Sequence, residues 1–277
     1  MKKAIQLQEH DAEIMMKYAA ETGYKYISLG FGSSKIFHEN DWENRIEKFC
    51  LLMKKYNLEC VQTHLPYYDL RISSEIIDEK TETAIHRCIK ATSMLGAGWT
   101  AMHLRSSFDH NFSEKRAYYD NMKCLEKYMK TAADAHVGIG LENLPIFPSA
   151  PQWRFYSSHY EDICGIADEF ANDNIGICWD FGHAHLTRLD QVQALEYVGD
   201  RLKITHIHDN FQNNDDHLIP TIGNTDWKRI MPVLNEISYK GPLTLEINYN
   251  IDSTTESFIN YSFSAVKFLD EIIMGDK

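Results

Sequence analysis

The sequence has no excess of positive charge: 28 Lys and Arg stand against 40 Asp and Glu, a net charge of -12. That excludes a broad basic footprint for nucleic acid or an anionic membrane, although not a local basic groove. Paired cysteines are also missing. Cys50, Cys60, Cys88, Cys124, Cys164 and Cys178 are scattered without a CxxC motif. Neither a zinc ribbon nor a disulfide framework is expected, and reduced, buried thiols in a cytoplasmic protein fit better. No apolar run approaches the ~20 residues of a membrane span, so no membrane association is expected. The first eleven residues turn polar and acidic before a signal-peptide core forms. No Gly-rich phosphate loop follows the first apolar run, where Leu7-Gln-Glu-His10 stands instead. No linker, low-complexity tract or internal repeat marks a second domain.

What the chain does have is 44% hydrophobic and 12% aromatic residues in 277, enough for a substantial core. Eight short apolar runs recur along it: Ala4–Leu7, Tyr26–Gly30, Glu59–His64, Thr100–Leu104, Gly138–Glu142, Ile175–Asp180, Ile204–His208 and Leu243–Ile247. Between them lie segments with apolar residues three and four apart: 11–22, 42–56, 75–95, 113–136, 158–171, 188–199, 226–237 and 255–273. Start signals precede several of these helices, namely Asp41, Ser113, Ser157 and Ser158 with Glu161, and Thr225. Eight strands alternating with eight helices predict an α/β fold, a (β/α)8 TIM barrel forming a single domain over 1–277.

In such a barrel, chemistry gathers at the C-terminal ends of the strands. Six consecutive runs end on an ionisable residue: His64, His103, Glu142, Asp180 followed by His183, His206, and Glu246. One carboxylate at a barrel mouth is often just an ion-pair partner of Arg or Lys. Six at successive strand ends would be costly to desolvate unless they share a cation. The densest stretch is Thr205-His-Ile-His-Asp-Asn210 with Asp215-Asp-His217 close behind. His206 and His208 sit two apart and so project from the same strand face, while Asp215 and His217 are spaced to grip one ion. Oxygen and imidazole donors without thiolate point to Zn or Mn, with Co, Fe(II) or Mg as further candidates.

At Leu141-Glu-Asn143, Gly176-Ile-Cys-Trp-Asp-Phe-Gly-His183, His206-Ile-His-Asp209, Asp215-Asp-His-Leu218 and Leu245-Glu246, the chain resembles the xylose isomerase-like TIM-barrel superfamily. That superfamily holds sugar phosphate isomerases and epimerases and also the endonuclease IV type of DNA repair enzyme. For the epimerase branch the resemblance implies a metal held by Glu142, Asp180, His206 and Glu246, with His206 favoured over His208 because it stands three before Asp209. The nuclease branch adds counterparts at His64, His103, His183, Asp215 and His217, a set suited to a three-metal cluster.

Two departures weigh against the nuclease. The segment 144–153 is bulky and rigid where that branch has small residues, and the loop between His206 and Asp215 carries no Lys or Arg for phosphates. The epimerase branch also has a gap, since Gln212 replaces its substrate-binding Arg. The expected activity is a metal-dependent sugar or sugar-phosphate isomerase or epimerase. A divalent cation would stabilise an enediolate while Glu142 and Glu246 transfer the proton and His183 contacts a substrate oxygen or a second metal. The alternative is a phosphodiesterase acting on abasic sites through a multinuclear zinc site, and the third class is a binding protein that has lost catalysis. The expected partner is a small sugar; nucleic acid is disfavoured and a homo-oligomer is left open. His103, Arg105 and Lys35 are candidates for outer hydroxyl or phosphate contacts. Tyr67, Tyr68, Phe31, Trp153 and Phe155 are candidate pocket walls.

Overall fold

The computed structural model describes residues 1–68, 78–106, 114–151, 155–170 and 172–275. Ser113 and Trp153, and the first residues of the helix expected from 75, lie outside them. Eight parallel strands form the barrel: β1 (Lys3–Gln8), β2 (Tyr26–Gly30), β3 (Glu59–His64), β4 (Trp99–His103), β5 (Gly138–Glu142), β6 (Ile175–Asp180), β7 (Leu202–His206) and β8 (Leu243–Leu245). Their order around the sheet is β7-β6-β5-β4-β3-β2-β1-β8. The ring closes through a parallel bridge of Ile207 with Leu245, where Ile207 N donates to Thr244 O at 2.8 Å and Glu246 N to Ile207 O at 3.1 Å. His208 and Glu246 thus stand just past the strands that the sequence places them on.

The outer helices are α1 (Ala12–Thr22), α2 (Lys35–His38), α3 (Trp42–Tyr56), α4 (Glu79–Met94), α5 (Glu114–Asp134), α6 (Tyr160–Phe170), α7 (Phe181–Leu186), α8 (Gln191–Val198), α9 (Trp227–Ile230), α10 (Pro232–Glu236) and α11 (Thr255–Met274). None among the described residues is long and apolar enough to cross a membrane. The apolar stripe of each long helix packs on the strands, as Met15 and Ala19 of α1, Cys88 and Ile89 of α4, and Val266 and Leu269 of α11 do. Some boundaries differ from the periodicity. The segment expected as one helix over 226–237 breaks at Met231, because Pro232 has no N–H to continue the ladder and instead starts α10. Asp41 caps α3 by position only; Thr225 does not cap at all, and Asp226 accepts from Arg229 N instead.

Inside the barrel, the residue two before each strand-end ionisable group faces the same way. These are Gln62, Ala101, Gly140, Cys178, Ile204 and Thr244, all buried or lacking a side chain. Ala101, Cys178 and Ile204 form a small apolar plug. Gly140 makes room for it, since a Cβ there would lie 3.0 Å from Ile204 Cδ1. Gln62 fills the rest, donating to Thr205 O at 3.2 Å and accepting from Thr244 Oγ1 at 3.0 Å. The plug is the floor on which the ionisable layer rests.

Candidate functional site

All nine residues singled out at the strand ends and in the following loop converge at one mouth of the barrel. They form three adjoining groups around two carboxylates. Glu142, Asp180, His206 and Glu246 place one donor atom each within 4.8 Å of the others. His206 Nδ1 lies 3.2 Å from Glu142 Oε1 and 3.3 Å from Glu246 Oε2. On the other side of Glu142, its Oε2 is 3.2 Å from both His64 Nε2 and His103 Nε2. The third group is His183, Asp215 and His217, with His183 Nε2 and His217 Nε2 at 3.2 and 3.3 Å from Asp215 Oδ2. To it the structure adds His208, whose donor atom lies within 4.8 Å of all three.

Backbone carbonyls orient these imidazoles. Nδ1–H of His64 donates to Leu65 O at 2.7 Å, that of His183 to Asn143 O at 2.8 Å, and that of His217 to Glu246 O at 2.8 Å. Each ring therefore turns a lone pair on Nε2 into the cluster, the arrangement typical of a metal-binding histidine. Asn143 also locks β5 to β6, accepting from Asp180 N at 2.7 Å and donating to Asp180 O at 2.9 Å. Asp180 Oδ1 caps α7 by accepting from His183 N at 2.7 Å.

The electrostatics are those of a buried charge cluster. Burial pushes the Glu142 carboxyl up, yet His206 and His103 hold it well below the usual carboxylate range. Burial disfavours a charged imidazole at His206 and at His183. Cys178, Glu246 and Glu142 outweigh it at the first, and Asp180 and Asp215 at the second, so both are raised well above the ordinary value. Despite this, Glu142 Oε1, Asp180 Oδ2, Asp215 Oδ1 and both ring nitrogens of His206 and His208 are buried with no hydrogen-bond partner. Such orphaned groups are expensive unless something else binds them. Carboxylate and imidazole donors, converging and unsatisfied, fit a divalent cation.

Above the cluster lies a pocket of about 240 Å3, lined by Tyr67, His103, Glu142, Leu144, Pro145, Phe147, Phe155, His183, Asp215, His217 and Glu246. Its described lining includes no Lys or Arg. A larger cavity of about 560 Å3 opens at the opposite mouth, around Lys2, Trp99 and Lys203, away from all of these groups. Among the expected pocket walls, Tyr67 and Phe155 do line the site. Phe31 does not: it is fully buried, 5.0 Å from the Phe37 ring in the core behind β2. Tyr68 donates its hydroxyl to His103 O. Arg105 is buried beside Cys124 of α5 instead of facing the pocket, and Lys35 is exposed at the start of α2.

Three residues that the strand-end pattern does not select have roles here. Gln6 donates to Glu246 Oε1 at 2.5 Å and accepts from Ser28 Oγ at 3.1 Å. Its signal in the sequence is a lone amide inside the apolar run Ala4–Leu7. His208 carries the period-two signal but is displaced in the family motif by His206. Asp209 is fully buried and organises the following loop, accepting from Thr221 N, Thr225 N, Thr225 Oγ1 and Trp227 Nε1 at 2.7–3.2 Å.

The comparisons with known proteins agree with this architecture. The family model described as "Xylose isomerase-like TIM barrel" matches residues 16–260. Protein MJ1311 of Methanocaldococcus jannaschii is 28% identical over 213 residues, 74% of this chain and 70% of its own length. Protein y4fM of Sinorhizobium fredii is 33% identical over 123 residues, 44% of this chain but only 35% of y4fM, about a third of that relative. Among solved structures, a D-tagatose 3-epimerase-like protein superposes with a TM-score of 0.78 at 22% identity, over 99% of this chain and 98% of its own. With the family model spanning nearly the whole barrel, the chain belongs to the xylose isomerase-like TIM barrel family.

Proposed function

We propose that this protein is a metal-dependent sugar isomerase or epimerase that moves a carbon-bound proton at the C-terminal mouth of the barrel. The observation that carries the reading is the convergence of Glu142, Asp180, His206 and Glu246 at the base of a small pocket walled by Tyr67, Leu144, Phe147 and Phe155. A volume near 240 Å3 is below the ~300–1,000 Å3 of drug-sized sites, and suits a single small sugar better than a polymer. The fold shared with a D-tagatose 3-epimerase-like protein supports the same class.

A divalent cation, Zn or Mn in the first instance, would be held by those four residues and would supply Lewis acidity to a carbonyl and its neighbouring hydroxyl. Glu142 at the end of β5 and Glu246 just past β8 would flank the substrate carbon, one taking the proton and the other returning it. Gln6 fixes Glu246 by binding Oε1 and leaves Oε2 turned to the site. His183, at the pocket wall, holds a substrate oxygen or a neighbouring cation. The aromatic wall excludes water and so protects the deprotonated carbon. With no Lys or Arg in the described lining, an unphosphorylated sugar fits better than a sugar phosphate. Six free cysteines accord with a reducing, cytoplasmic setting.

The test is to load the protein with Zn, Mn or Co, offer a panel of ketoses and aldoses in D2O, and follow both interconversion and deuterium entry at carbon. Exchange that requires the metal is expected. Absence of interconversion and of deuterium entry across the panel, with metal bound and the fold intact, overturns the reading. One observation favours a second reading: His64 and His103 form a donor group on the far side of Glu142, which a single-cation isomerase does not need. It is the phosphodiesterase, and metal-dependent cleavage of abasic-site DNA would establish it.

A further inference from the structure

We propose that the N-terminal mouth of the barrel is a second binding site, for a small planar anion: an aromatic ring carrying a carboxylate or a phosphate. The cavity there has a volume of about 560 Å3, more than twice the 240 Å3 at the other mouth and within the ~300–1,000 Å3 of small-molecule sites. Its floor lies at the barrel interior. Trp99 opens β4 two residues before Ala101, so its indole faces inward and packs beneath the plug of Ala101, Cys178 and Ile204. The ring is only partly buried, and its open part lines the cavity as a flat apolar surface.

Glycine shapes this floor. A Cβ at Gly138 would lie 2.5 Å from the Trp99 ring, so only a bare backbone there admits the indole. Gly98 is a different case: it is not left-handed, and a Cβ there would meet nothing within 4 Å. Neither conformation nor crowding calls for glycine at 98; what the missing side chain leaves open is the cavity. The lining is charged one way, with Lys2, Lys203 and Lys240 set against Asp200, the one acid among its described residues. In a chain of net charge -12 that reverses the general balance and favours an anion. Two of the bases stand on braced segments. Lys203 Nζ donates to Asp200 O at 2.8 Å, and Lys240 belongs to a turn that Tyr239 ties down by donating to Pro242 O at 2.9 Å. Lys2 lies 3.9 Å from Glu59 Oε2, but both are exposed, and so weak a pair leaves the ammonium free to meet a ligand. No His lines the cavity among the described residues, and burial pushes the Cys60 thiol up to about 12, so the site binds without reacting. It shares no residue with the opposite mouth and does not depend on which reaction takes place there.

The test is calorimetric titration of the full-length protein with 1-naphthyl phosphate and with indole-3-acetate, each against its neutral counterpart, 1-naphthol or indole-3-acetamide. Saturable binding of at least one anion is expected, with the neutral counterpart weaker by about tenfold or more, the loss of one charge-assisted hydrogen bond. Lys203→Gln combined with Lys240→Gln should weaken the anion by a similar factor. Gly98→Leu, which changes no charge and fills the floor, should abolish binding, while Glu246→Gln at the other mouth should bind as the wild type does; circular dichroism checks that each variant is folded. Failure of both anions to bind saturably overturns the proposal, as does equal affinity for the neutral counterparts. Full binding by folded Gly98→Leu, or binding that Glu246→Gln abolishes, also overturns it by placing the anion elsewhere. If Gly98→Leu does not fold, the lysine pair decides, and unchanged affinity in that variant sinks the site.

Discussion

At the scale of single residues, Glu246 is the sharpest probe of the proposed chemistry. Glu246→Gln keeps the shape and the Ile207 bond to its backbone but removes the charge, so turnover is expected to vanish while the melting curve holds; full activity would remove the proton-transfer role. Gln6→Leu should be milder. It deletes the 2.5 Å bond to Glu246 Oε1 within a buried layer, and a drop of ~10–100-fold in kcat is expected with the cation still bound. Unchanged kcat would reduce Gln6 to barrel filler. The two residues also show what a sequence makes legible. Glu246, like the other strand-end groups, is readable because it interrupts an apolar period at a fixed place. Gln6 is less visible, since one amide in a strand is equally well read as a pleat position facing solvent. Arg105 and Phe31 mislead for the same reason: which side of a strand end a long side chain takes is decided by packing against α5 and Phe37, and no local pattern encodes that.

At the scale of elements, strands were easier to read than the pieces between them. The helix expected over 188–199 is only the second half of what is there. Asp180 starts α7 directly at the strand end, and Asp190 caps α8 after a short break. Carboxylates that cap helices look like ligands in a linear sequence, and Asp180 is placed to do both. The loop from 209 to 227 depends on Asp209 in a way that spacing alone does not reveal, because its partners beyond the adjacent Asn210 N lie 12 to 18 residues downstream. Asp209→Ala strands the buried donors Thr225 N, Thr225 Oγ1 and Trp227 Nε1 at once and should destabilise the protein by about 3–5 kcal/mol, with loss of the 215–217 donors from the site. Chemical denaturation checks this, and a change under about 1 kcal/mol would show that water replaces the carboxylate.

At the scale of the whole molecule, the proposed cation binding at the mouth of the barrel would be coupled to pH. Burial pulls His217 down, but the bond to Asp215 and the charge of Glu246 more than reverse it and raise it to about 9 in the cation-free chain. A folded-state value above the unfolded ~6.5 means that this pairing stabilises fully below pH ~6.5 and is lost as pH rises through about 9. A cation needs the neutral ring, so its contribution runs the other way. The melting temperature of chelator-treated protein should fall between pH 6.5 and 9, while that of zinc-loaded protein holds or rises. Parallel curves for the two forms would show that the mouth does not contribute to this linkage.

The bridge between Ile207 and Leu245 completes the ring with only a few contacts, since β8 is three residues long. It joins the two ends of the sheet order, β7 and β8, after β8 has paired with β1 at the start of the chain, where Lys3 meets Leu243 in the most non-local pairing of the barrel. His206 and His208 flank Ile207, and Glu246 follows Leu245. The ion proposed to sit between them would act as a clasp on the seam of a hoop, fastening a joint that the backbone closes through a single bridge. Assembly of the site and circularisation of the barrel would then be a single event, and whatever empties the mouth would also loosen the hoop.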